Sequence, residues 1–200
     1  MIRIPALSSA RHSLQAAALL GLAVLTFAAV PAQAQQRAPA AKPAPAKPAA
    51  AGGQGQALLL ETAGKWQAFS SQQGRSKICY ALSKAETRVP ANLKDVEGLL
   101  FISSRPGEGV RNEISLVMNF DLKEDVEHQA IIGSDRFALV AKGQNVWLKN
   151  PAEEGRMLDA LRKGSGLEIK GTSKRGNATS DKYSLAGISQ IVKRAEDACK

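Results

Sequence analysis

Hydrophobic positions along this chain fall into three regimes. Leu14 to Val30 is an almost unbroken run of Ala, Leu and Val, whereas Gln35 to Ala57 has no apolar side chain larger than Ala. From Leu58 to Lys200 the apolar residues come in short runs, several alternating with polar ones and bounded by Gly or polar clusters. A period of two marks strands with one buried face. It predicts strands over 66–70, 77–83, 99–104, 113–120 and 127–132. Two further pairs, 136–141 with 145–149 and 167–173 with 179–184, are joined by Lys142-Gly143-Gln144 and by a loop containing Gly176-Asn177. Both read as hairpins. Trp66 and Trp147, each in the middle of a strand, are expected to anchor the core between two sheets.

Two stretches change period. Asn150 is placed to cap a helix, with Pro151 as its first residue, Glu153 and Glu154 in the first turn, and Arg162 and Lys163 before a stop at Gly164. Ser184 is placed to cap a second helix in which Leu185, Ile188, Val192, Ala195 and Cys199 recur every three or four residues as one apolar stripe. Runs of strands followed by a terminal helix predict an all-β dominated antiparallel β-sandwich with one or two short helices, including a C-terminal helix, and not alternating βαβ units.

The three regimes also define the domain organisation. Residues 1–34 read as a signal peptide: Arg3 and Arg11 precede the apolar run, and Ala32-Gln33-Ala34 supplies a small-x-small cleavage site. Cleavage is expected after Ala34, which leaves no transmembrane anchor. Residues 35–57 form an Ala/Pro/Lys-rich flexible linker that cannot bury enough surface to fold. Residues 58–200 form the single domain.

Charge looks decisive only until it is located. The chain carries 27 Lys plus Arg against 18 Asp plus Glu, a formal +9. Arg3, Arg11, Arg37, Lys42 and Lys47 lie before residue 58 and no acid does, so the domain keeps 22 basic against 18 acidic residues, or +4. A general nucleic-acid surface is therefore not expected, and no specific nucleic acid is a predicted partner. Lys170, Lys174, Arg175 and Lys182 cluster around the last hairpin as a patch for an anionic partner, with Tyr183 the one aromatic residue nearby.

Candidate chemistry is sparse. After signal removal His128 is the single histidine, flanked by Glu127 and Gln129, and it reads as an exposed strand-end residue. There is no GxSxG or SxxK arrangement for a serine nucleophile. The Gly171 to Ala178 stretch has P-loop glycine spacing but Asn177 in place of the phosphate-binding Lys. Asp121, Glu124, Asp125 and Glu127 read as a solvated turn. No cofactor and no metal site is expected. In an oxidising compartment Cys79 and Cys199 are expected to form a structural disulfide, two free thiols being the alternative. The chain-entropy model assigns so long a loop about 4–5 kcal/mol.

Several motifs occur in a suggestive order: Gly64-Lys65-Trp66, Cys79, Phe101-Ile102-Ser103-Ser104-Arg105-Pro106, Asn112-Glu113-Ile114-Ser115, the segment from Lys170 to Gly187, and Cys199. Together they resemble the invasion-associated locus B family, over nearly the whole domain and none of the linker. The resemblance implies an exported protein of a Gram-negative bacterium, an immunoglobulin-like sandwich and a link to host-cell entry, with no catalytic residues to carry over. Better-known members carry a second cysteine pair in a mid-domain hairpin, and here residues 132–150 have none. The expected function is a non-enzymatic periplasmic or envelope binding module whose partner is an envelope or host protein or polymer. The alternatives are an envelope glycan hydrolase using paired carboxylates and a surface adhesin or secreted effector.

Overall fold

The structure, a computed structural model, describes residues 56–200. The predicted signal peptide, its cleavage site and the linker up to residue 55 lie outside the described residues. The elements in chain order are β1 (Leu58–Ala63), β2 (Trp66–Gln73), β3 (Ser76–Lys84), β4 (Thr87–Val89), β5 (Leu99–Arg105), β6 (Val110–Val117), β7 (His128–Ile132), β8 (Asp135–Lys142), β9 (Asn145–Leu148), α1 (Glu154–Lys163), β10 (Gly166–Thr172), β11 (Ala178–Ser184) and α2 (Ile188–Ala198). The fold is thus strand-dominated with a C-terminal helix, as the residue pattern predicts. β1 and β4 are additional. The run of leucines opening β1 does not alternate, and β4 is only three residues long, so neither carries the period-two signal.

All strands join one antiparallel ladder of 11, in the order β1-β2-β3-β5-β6-β9-β8-β7-β10-β11-β4. Along the ladder one face is consistently buried: Trp66 and Ala68, Cys79 and Ala81, Leu100 and Ile102, Ile114 and Leu116, Val146 and Leu148, Phe137 and Leu139, Leu167 and Ile169. These residues belong to a single core cluster. The ladder therefore curls around its own interior, and the two layers of a sandwich are halves of one continuous sheet. On the outer face Phe69, Tyr80 and Phe101 form a cross-strand row, with ring centroids 5.2 and 5.8 Å apart.

The curl closes at a seam between the β1–β2 turn and the segment after β11. Trp66 is fully buried, and its indole N–H donates to the Ser184 carbonyl at 2.9 Å. Two glycines let the backbones touch. A Cβ on Gly64 would lie 2.5 Å from the Ala186 carbonyl oxygen, and one on Gly187 would lie 2.5 Å from that of Ala63. Both have positive φ, 58° and 91°, where glycine carries no steric penalty.

Both helices pack on the inner side. Asn150 accepts from the Ala152 N–H at 3.2 Å, as its capping role requires, although the first turn from Pro151 is a 3₁₀ turn and α1 proper starts at Glu154. The second predicted cap is corrected. Ser184 ends β11, and α2 starts at Ile188 behind Gly187. α2 has 11 residues, short for a helix that must stand on propensity alone. Its buried Ile188, Ile191 and Val192 contribute roughly 1.5–3 kcal/mol each as an upper bound and hold it against β1, β2 and β3. Cys199 then bridges to Cys79, with Cα atoms 5.8 Å apart across 120 residues of sequence. The expected disulfide is present.

Candidate functional site

At the far end of the β10–β11 hairpin four segments meet around a cleft of about 400 Å³. Pro90, Asn92 and Leu93 follow β4, and Phe120 and Asp121 follow β6. Gln144 comes from the β8–β9 turn, and Ser173, Lys174, Arg175 and Asn177 from the hairpin tip. Thr179 of β11 also lines the cleft. Backbone bonds tie these pieces together. The Lys174 N–H donates to the Asp121 carbonyl at 2.8 Å, Leu122 N–H to Gly143 at 3.0 Å, and Met118 N–H to Gln144 at 2.8 Å. The tip itself is locked by the Asn177 N–H donating to Ser173 Oγ at 3.1 Å.

The predicted anionic-partner patch is divided by the strand pleat. Lys170 and Lys182 stand on the outer face of the hairpin with Glu168 between them, which lies 3.8 Å from the Lys170 ammonium. Lys174 and Arg175 stand at the cleft. Lys174 lies 3.8 Å from Asp121, an exposed and loose pair of the kind that contributes little to stability. The residues that sequence reasoning missed are the cleft's walls, Asn92, Phe120, Gln144 and Thr179. They are far apart in the chain, and each alone reads as an ordinary loop or strand residue.

Beneath the cleft lies a buried ion pair. Arg88 donates through Nε to Asp181 Oδ1 at 3.0 Å and through Nη2 to Oδ2 at 2.6 Å, and its other N–H groups reach the Val96 and Met118 carbonyls. The Asp181 side chain has no solvent exposure and Arg88 has 3%. Burial raises the Asp181 carboxyl from its ordinary range, while the Arg88 donors pull it down. The guanidinium also sits 5.2 Å from the Phe120 ring centroid, so the pair props the apolar wall of the cleft. Two buried hydroxyls on β11, those of Thr179 and Tyr183, have no hydrogen-bond partner among the described residues. Burial, with Asp181 nearby, pushes the Tyr183 phenol well above its ordinary value.

His128 is buried, not exposed as its polar neighbours suggest. Thr172 N–H donates to Nδ1 at 3.3 Å, so Nε2 carries the proton and donates to the Lys123 carbonyl at 2.9 Å. Both ring nitrogens are occupied in holding the loop after β6 to the hairpin. Trp147 is likewise corrected: it is only half-buried, because Val146 and Leu148 take the inward positions of β9. The acidic turn is ordered by partners, Glu124 accepting from Gly143 N–H at 2.8 Å and Glu127 pairing with Lys149 at 3.0 Å. Glu113 and Glu154 are neighbouring carboxylates that influence each other. Burial raises the Glu154 carboxyl and Glu113 adds to the rise, while the Ile114 N–H opposes it. Arg105 holds Glu113 at 2.8 Å. Among the described residues no three His, Cys, Asp or Glu side chains gather as a metal site, and no helix is long and apolar enough to cross a membrane. No family model, curated protein or solved structure matches the chain.

Proposed function

We propose that this chain is a non-enzymatic, exported binding module of the invasion-associated locus B type, working in the periplasm or envelope and engaging an anionic envelope or host-surface polymer through the hairpin-tip end of the domain. One observation carries this reading: Lys174 and Arg175, picked out by charge alone, stand on the rim of a cleft whose other walls are amides, hydroxyls and an aromatic ring. Such a lining binds without reacting. Three further facts support the absence of an enzyme activity. The His128 ring is fully engaged, both cysteines are bridged, and Glu113 is held by an arginine. The disulfide fits the oxidising compartment that the N-terminal segment addresses.

The test is crosslinking and recovery of partners from intact envelopes, with the exported protein compared with a K174Q/R175Q variant and with a variant lacking residues 35–57. An anionic polymer or its carrier protein should be recovered with the parent and the linker deletion, and lost with the charge variant. Loss of every partner on removing residues 35–57 would assign binding to the linker and sink the reading.

A further inference from the structure

The cleft is more selective than a patch of positive charge. We infer that it takes one sugar-acid unit, a monosaccharide-sized ring bearing a single carboxylate, from an envelope glycan. The inference rests on the binding-module reading above and adds the ligand's chemistry to it. Charge sets the first condition. Lys174 and Arg175 share the cleft lining with one acid, Asp121, which lies beside Lys174 and leaves a single positive charge to be matched. A monocarboxylate matches it, whereas a dianionic phosphate brings one charge too many beside Asp121. The planar fork of the Arg175 guanidinium suits a carboxylate for the same reason that it suits Asp and Glu side chains.

The uncharged lining sets the second condition. Asn92, Gln144 and Asn177 each bring an amide with both donors and an acceptor, the mixed set that ring hydroxyls need. Leu93 and Phe120 offer an apolar wall to the C–H face of a ring. At about 400 Å³ the cleft is near the small end for ligand sites and fits one ring, not a length of polymer.

Calorimetric titration of the exported protein with its disulfide intact tests this, with galacturonic acid, galactose and inorganic phosphate as separate titrants. Retention on isolated anionic envelope polysaccharide is measured alongside. Galacturonate should bind one to one, and galactose about tenfold or more weakly, because it lacks the charge-assisted bond. Arg175→Gln should weaken galacturonate by about tenfold without lowering the melting temperature. Phosphate binding as tightly as galacturonate would overturn the sugar-acid assignment, and so would full affinity in the Arg175→Gln variant. Failure to bind galacturonate by a protein still retained on the polysaccharide overturns this inference alone. Failure of both overturns the binding-module reading as well.

Discussion

The seam and the hairpin tip treat backbone and side chain in opposite ways. At the seam, Gly64 and Gly187 bring two backbones into contact, Trp66 reaches Ser184, and Cys79 is tied to Cys199. The seam is held by backbone contact, an indole hydrogen bond and a covalent bridge. At the tip, Lys174 and Arg175 stand free of tight partners and the Thr179 hydroxyl is unpaired. Of the motifs that suggest a family, Gly64-Lys65-Trp66 and Ala186-Gly187 meet at the seam, where they allow the curled sheet to close, while the Lys170–Gly187 segment also carries the hairpin tip. The residues suited to binding lie in a region where the chain tolerates exposed charge.

Breaking the locks in turn ranks the two regions. Replacing Cys79 and Cys199 together by Ser should have the largest effect, about 4–5 kcal/mol, because the bridge closes so long a loop. Urea unfolding should show a lower midpoint, and the comparison fails if the loss is under about 1 kcal/mol. Arg88→Met should follow at about 3–5 kcal/mol, since it leaves Asp181 buried and unpaired. Unlike the seam variants it should also loosen Phe120 and weaken ligand binding at the tip. Gly187→Ala should cost about 2–3 kcal/mol from forcing a side chain into left-handed backbone against Ala63. Its folded fraction should bind as the parent does. Thr179→Val should move stability the other way, by up to about 1 kcal/mol, because it removes an unsatisfied buried hydroxyl. A clear destabilisation would show that the hydroxyl has a structural partner.

The smallest effect concerns the end of α2. Hydrogen bonds from Lys193 and Lys200 hold the Asp197 carboxyl down to about 2. A depressed acid adds stability above its ordinary value of about 3.9 and loses it as pH falls toward the depressed one. Amide protection in the last turn of α2, taken relative to intrinsic exchange at each pH, should therefore fall between pH 4 and pH 2 more than elsewhere in the domain. Asp197→Asn should abolish the difference.

Much of this organisation was legible in the residues. Alternation locates nine of the strands, Asn150 reads correctly as a cap, and two cysteines behind an expected export signal imply their bridge. The errors share a cause. His128 reads as exposed because Glu127 and Gln129 make its surroundings look polar, while alternation puts it on the opposite face from both. Trp147 reads as core because of its size, which its position between Val146 and Leu148 overrides. Arg88 and Asp181 lie 93 residues apart, and no local pattern joins a lone Arg on a three-residue strand to an Asp on β11. The cleft was half legible. Charge found its two cations, but its walls exist only once four separate loops have been brought together.

The long span of the Cys79–Cys199 bridge also has a consequence in time. The inner faces of β2 and β3 are covered by α2, which lies over 100 residues later in the chain. At roughly 5–20 residues per second, the 120 residues between the two cysteines take about 6–24 s to emerge. Throughout that interval Trp66, Ala68 and Ala81 have no helix to cover them, and the Cys79 thiol is open to the wrong partner. Until the last residues are made, the inner face of β2 and β3 depends on protection that the chain itself cannot yet supply.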